Sequence, residues 1–144
     1  MSLRKATLED VPRLLAIEAQ WATTPHWTAE HFNREVASER SLGLVAEEQG
    51  RVVGFGFLWL LPGEGQVADI AVDPSSARRG VGRKILQKMI DEARRSRCET
   101  VTLEVSAENV AAQRLYAAEG FKVVGRRPKI YNGTDDALLM TLTL

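Results

Sequence analysis

Hydrophobic positions along this chain change period several times, and each change marks an element. Residues 3–6 fit a short first strand. Thr7, with Asp10 three residues on, forms a helix start, and Leu14, Leu15, Ile17 and Glu18 carry that helix toward Gln20. Residues 21–27, which include Pro25, read as a loop, and Thr28 is placed to cap a second helix ending near Ser38. Two strands, 42–47 and 51–60, are joined by Gln49-Gly50, a hairpin signal. Residues 62–65 are expected as a turn before a strand at 66–72, which Asp73-Pro74 ends. Val81, Ile85, Leu86, Met89, Ile90 and Ala93 then recur at helical spacing. Val101, Leu103 and Val105 alternate with Thr102 and Glu104, the pattern of a strand with one apolar face. Asn109 can cap a helix over 110–119 with Gly120 at its C′ position, and 121–125 and 137–144 supply the last two strands. Elements interleaved in this way predict an α/β fold (α+β in some schemes). The expectation is one domain over 1–144, its sheet covered by helices on both faces.

Length and charge narrow the picture. A chain of 144 residues fits one core. Its 19 basic and 19 acidic residues cancel, so nothing in the net charge draws it to nucleic acid or an anionic membrane, and neither is expected as a partner. The longest near-continuous apolar run, 52–61, is interrupted by Gly54 and Gly56 and is too short for a bilayer, so it reads as a buried strand. No apolar stretch of signal-peptide length follows Met1-Ser2-Leu3-Arg4-Lys5, and the single cysteine, Cys98, leaves no internal disulfide. A cytoplasmic location is the expectation. His26 and His31 have no metal-ligand spacing with Cys98, so no metal is expected, and Cys98 reads as packing rather than as a nucleophile.

In a neutral chain a local cluster of one sign calls for a local reason. Residues 76–84 read Ser-Ala-Arg-Arg-Gly-Val-Gly-Arg-Lys between an expected strand and an expected helix. A helix N-terminus offers unpaired amides and a partial positive charge. Gly80 and Gly82 let an anion approach the backbone, and Arg78, Arg79, Arg83 and Lys84 add charge, which favours a phosphate or pyrophosphate. A solvated basic turn is the alternative. Ile85 stands where a dinucleotide fingerprint needs a third glycine, and no Gly-Lys-Ser/Thr follows as in a Walker A loop. Further on, a strand, a short loop and a returning helix can bring Glu104 and Tyr116 to one cleft as an acid–base pair. Taken singly, they also fit a solvated carboxylate and a core tyrosine with its hydroxyl at the edge.

The stretch Asp69-Ile70-Ala71-Val72-Asp73-Pro74, followed by Arg79-Gly80-Val81-Gly82, resembles the coenzyme A motif of the GNAT acetyltransferases. Leu103-Glu104-Val105, Asn109 and Leu115-Tyr116-Ala117-Ala118-Glu119-Gly120-Phe121 resemble the motif that follows it. Pro25, Trp27, Arg126-Arg127, Tyr131 and Asp136-Ala137-Leu138-Leu139-Met140 resemble the bacterial ribosomal-protein alanine acetyltransferases. The resemblance implies a single GNAT-like domain with a mixed, mostly antiparallel central sheet, and acetyl-CoA as cosubstrate. It assigns Ile70, Ala71 and Val72 to the acetyl and pantetheine portion, and the amides of Arg78, Arg79, Gly80, Val81, Gly82 and Arg83 to the pyrophosphate. Asn109 would touch the coenzyme, a helix cap being an equally good account of it. Glu104 matches the family's general base and Tyr116 its general acid, and Trp27 and Tyr131, with Trp21, are expected on the acceptor walls.

The chain departs from the family's usual pattern in three places. Ala77 stands where the family has Gln or Arg, His26 separates Pro25 from Trp27, and Ile130 precedes Tyr131. The acceptor expected from this resemblance is a protein N-terminus such as that of a ribosomal protein. A small amine or a lysine side chain is the alternative within enzymes. A non-catalytic coenzyme A-binding regulatory domain is the alternative outside them, and it would need neither Glu104 nor Tyr116.

Overall fold

The computed structural model of the chain describes residues 1–22, 24–131 and 135–144, the backbone alone at 129–131 and 135. Its strands are β1 (Ser2–Lys5), β2 (Ser41–Glu48), β3 (Arg51–Leu61), β4 (Glu64–Val72), β5 (Thr100–Ser106), β6 (Lys122–Tyr131) and β7 (Asp135–Thr143). Its helices are α1 (Val11–Glu18), α2 (Ala29–Ala37), α3 (Val81–Arg95) and α4 (Val110–Ala118). The strands form one sheet in the order β1-β2-β3-β4-β5-β7-β6, antiparallel throughout except where β4 runs parallel to β5.

Local chemistry sets most boundaries. Thr7 and Asp10 close a capping box, although the first turn, Leu8–Asp10, is a 3-10 turn before α1 begins. Thr28 accepts from the His31 N–H and starts α2, and Gln49 and Gly50 take the positive φ values of 51° and 76° that a tight hairpin requires. Two expectations need correction. The turn before β4 is shorter than 62–65, because Glu64 and Gly65 already pair with Leu61 and Leu60. The last hairpin is longer than 121–125 and 137–144: its arms reach Tyr131 and Asp135, and exposed Arg126 and Arg127 on the edge strand break the apolar alternation there.

Helices cover both faces. Val11, Leu14 and Ile17 of α1 and Phe32 of α2 pack on Val45, Phe55 and Phe57. On the other face Val81, Ile85, Leu86 and Met89 of α3 pack with Val101, Leu103 and Tyr116. The glycines that interrupt the 52–61 run lie under α3. A Cβ on Gly56 would stand 2.8 Å from Ile85 Cγ2 and 3.0 Å from Met89 Cε. Their bare backbone lets α3 lie close to the sheet, which brings its N-terminus to the end of β4.

The feature that makes the site is a parting of strands. β4 and β5 pair from Glu64↔Thr100 to Val67↔Leu103 and no further. At that point the β3–β4 register slips, with Phe57↔Asp69 followed by Leu58↔Val67, so Ala68 is an extra, bulged residue. A bulge bends the strand that carries it. β4 therefore leaves β5, which stays paired with β7 out to Ser106↔Ala137.

Candidate active site

The gap between β4 and β5 opens into a cleft of about 840 Å³. Its β4 wall presents backbone. The Asp73 N–H bonds the Val53 carbonyl on β3 at 2.8 Å, so alternation turns the N–H and C=O of Ile70 and Val72 the other way, into the gap. The Trp21 indole donates to the Val72 carbonyl at 2.7 Å. Ile70 and Val72 line the cleft, and so does buried Ala71.

Below that wall stands the N-terminus of α3. Gly80 precedes the helix at φ 79°, a left-handed conformation that glycine adopts without strain, and Lys84 N–H to Gly80 O at 3.1 Å is the first helical bond. The amides of Val81, Gly82 and Arg83 thus lack helical partners and sit at the cleft. The three arginines of the segment separate in the structure. Arg79 bonds Glu48 at 2.7 Å and does not line the cleft, and Arg83 pairs with Glu119 at 3.2 Å. Arg78 lines the cleft and makes no ion pair among the described residues. An anion-binding loop fits this geometry: open amides, a helix dipole and an unspent guanidinium. Ala77 offers no side-chain donor to this loop, so the backbone amides and Arg78 are the donors available there.

Glu104 and Tyr116 reach the same cleft from different layers. Glu104, on β5 just past the last β4 pair, belongs to the α1/α2 face, with its side chain 32% exposed and its Oε1 3.1 Å from Arg127 Nη1. Tyr116 comes from α4 on the other face, is 5% exposed, and packs its ring 5.9 Å from that of Phe121. Asn109 caps α4 by accepting from Ala112 N–H at 3.1 Å, and it lines the cleft as well.

Trp27 lies elsewhere. Its ring stacks on His31 at 4.2 Å and meets Phe32 edge-on at 5.2 Å, and it does not line the cleft. It precedes the Thr28 cap and touches the fourth helical residue, which makes it a hydrophobic staple for α2. The Tyr131 side chain lies outside the described residues. The wall on this side is built instead by Trp21, Thr24, Pro25, Trp59 and Gln66. Trp59 is held by a hydrogen bond to Glu35 of α2. Sequence reading passed over Trp59 and Gln66, since both sit in strands whose pattern fits plain packing. Among the described residues no cluster of His, Cys, Asp or Glu could hold a metal ion, and no helix is long and apolar enough to cross a membrane.

Residues 8–121 match the family described as the Acetyltransferase (GNAT) family. The [ribosomal protein bS18]-alanine N-acetyltransferase of Escherichia coli (strain K12) is 33% identical over 138 residues, covering 94% of this chain and 92% of that protein. The N-alpha-acetyltransferase RimI of Mycobacterium tuberculosis is 37% identical over 130 residues, covering 87% and 80%. The crystal structure of the ribosomal-protein-S18-alanine N-acetyltransferase from Escherichia coli superposes with a TM-score of 0.88 at 30% identity, covering 99% of this chain and 92% of that one.

Proposed function

The chain belongs to the acetyltransferase (GNAT) family, and we propose that the amine it acetylates is a protein N-terminus, one beginning with a small residue such as alanine. The activity itself is the family's: acetyl-CoA-dependent transfer of an acetyl group to nitrogen. The coenzyme supplies an activated thioester, and direct attack by the amine requires no covalent enzyme intermediate. The open α1/α2 side of the cleft carries the acceptor reading. It is walled by Trp21, Thr24, Pro25, Trp59 and Gln66, with Glu104 lining the same cleft, and it suits an extended peptide entering amine first. Of the relatives that this chain resembles over most of its length, one is named a [ribosomal protein bS18]-alanine N-acetyltransferase and another an N-alpha-acetyltransferase.

In this reading the N-terminal amides of α3 and Arg78 hold the pyrophosphate, and the backbone of Ile70 and Val72 faces the acetyl group. Glu104, directly or through water, takes the amine's proton, and the Arg127 bond holds its carboxylate in place. Tyr116 delivers a proton to the departing thiolate. The demand on Glu104 is modest for an α-amine. With a pKa of about 7.7–8.0 it is roughly a tenth neutral at pH 7, against about one lysine in a few thousand.

A competition assay tests the acceptor. An alanine-starting peptide with a free N-terminus is set against the same peptide blocked there and carrying a free lysine. The free N-terminus is expected to win by kcat/KM. Faster acetylation of the blocked peptide overturns the assignment and points to a lysine or small-amine enzyme.

A further inference from the structure

On the α1/α2 face of the sheet one row of side chains runs straight across four strands. The register sets Trp59 of β3 opposite Gln66 of β4, Gln66 beside Thr102 of β5, and Thr102 opposite Thr141 of β7. Alternation turns all four away from α3, because their strand neighbours Leu58, Val67, Leu103 and Met140 pack in the core beneath it. The row is continuous with the site, since each of its members lines the cleft that holds Glu104. Among the described residues, the core that α1 and α2 build on this face includes Val45, Phe55 and Phe57 but nothing from β5 or β7. Trp59 closes the row at the helix side, where its indole N–H bonds Glu35 of α2. Beyond it the row is polar, and its polar atoms are unspent. Gln66 donates from its amide nitrogen to Glu64 at 3.1 Å, which leaves its carbonyl oxygen to accept. The Thr102 and Thr141 hydroxyls have no hydrogen-bond partner among the described residues, and both residues are half-buried. Such a row pairs with a polar ligand group and is left unpaired by an aliphatic one.

Position decides which part of an acceptor meets the row. Thr102 precedes Glu104 by two residues on the same face of β5, so the two stand about 6.7 Å apart along the strand. Two residues of an extended peptide span about the same length. We propose that Gln66, Thr102 and Thr141 form the subsite for the acceptor's second residue, and that they select a hydrogen-bonding side chain there over an aliphatic one of the same shape. This deepens, and rests on, the reading above in which the acceptor is a protein N-terminus whose amine lies at Glu104. The row acts on binding and not on proton transfer, so its discrimination falls in KM. Threonine is also a common strand residue, and the same β7 face supplies a control for that. Thr143 lies two residues beyond Thr141 and does not line the cleft.

The test uses two peptides that begin Ala-Thr and Ala-Val and are otherwise identical, so that they differ by a hydroxyl in place of a methyl. Steady-state kinetics of the whole protein at saturating acetyl-CoA compare them. The wild type is expected to favour Ala-Thr by roughly threefold to tenfold in kcat/KM, the span of one net hydrogen bond, and to do so through KM. Thr102→Val and Thr141→Val keep the branched shape and remove one hydroxyl each. Each should shrink the preference, and the double variant should use the two peptides equally. Thr102→Val carries the test alone if the double variant does not fold, and calorimetry with acetyl-CoA checks folding throughout. Thr143→Val should keep the wild-type preference. Equal use of the peptides by the wild type, a preference for Ala-Val, or a preference carried by kcat alone overturns the subsite and leaves the N-terminal acceptor intact. So does a preference that survives undiminished in the threonine variants, or one that Thr143→Val removes as well. Acetylation of neither peptide, with acetyl-CoA bound, overturns the acceptor reading and the inference built on it.

Discussion

At the scale of the single residue, Tyr116 separates packing from chemistry. The residue is buried with Phe121 as a neighbour, while it lines the cleft. Replacing it by Phe keeps that packing and removes only the hydroxyl. Tyr116→Phe is therefore expected to fold normally and bind acetyl-CoA as before. Its kcat should fall by roughly 10²–10⁴-fold, the usual span for one acid–base group. Steady-state kinetics with parallel calorimetry decide it. A Phe variant that transfers acetyl groups at the wild-type single-turnover rate removes Tyr116 from the proton path.

At the scale of the element, the N-terminus of α3 can be probed without disturbing the fold. Gly80 is a poor probe, because its φ of 79° makes any side chain strained. At Gly82 a Cβ would meet Leu115 Cδ2 and Val72 Cγ2 at 3.5 Å, ordinary contact distances. Gly82→Ala should therefore fold and melt like the wild type, yet bind acetyl-CoA roughly tenfold more weakly, a loss of about 1.4 kcal/mol. Unchanged calorimetric affinity would place the pyrophosphate elsewhere. Elements were also where the sequence was most readable. The apolar stripe of α3, the alternation of β5 and the Thr7, Thr28 and Asn109 caps each state a local preference that the fold keeps. What stayed hidden was non-local. No glycine or proline marks the bulge at Ala68, so the parting of β4 from β5 left no trace in the periodicity. Trp27 looked like a groove residue because aromatic character says nothing about direction, and the Thr28 cap turns it onto Phe32. Glu18 did leave a signal, an acid in register with Val11 and Leu14 on the buried stripe of α1. The Glu104 and Tyr116 positions were readable through motif resemblance, and their shared cleft only through the fold.

At the scale of the whole molecule, the two faces of the sheet meet at Asp73. Arg13 of α1 bonds its carboxylate and also the Val52 carbonyl of β3, at 2.9 Å for the latter, and Arg51 stands 3.6 Å away. The same carboxylate accepts from the Ser75 N–H at 3.0 Å and the Ser75 hydroxyl at 2.9 Å, fixing the Pro74–Ser76 turn that leads into the loop before α3. The Ser75 amide first, and then Arg13, pull the Asp73 pKa down to about 2. Because the folded value lies below the unfolded one, the stabilisation is present above about pH 4 and is lost as pH falls toward about 2. It amounts to about 2 kcal/mol at neutral pH. Asp10, held below its usual range chiefly by Arg4, adds a loss of the same sign, so the wild type should weaken in acid even without Asp73. Asp73→Asn is expected to lower the Tm at pH 7, to converge on the wild type near pH 2, and so to flatten the acid limb. It should also weaken acetyl-CoA binding, because the turn beneath the loop loses its cap. Urea melts of both proteins at stepped pH, with calorimetry at pH 7, measure each part. A variant as stable as the wild type at neutral pH would show that the hydrogen bonds at Asp73 contribute no net stability and that the loop is held from α3 alone.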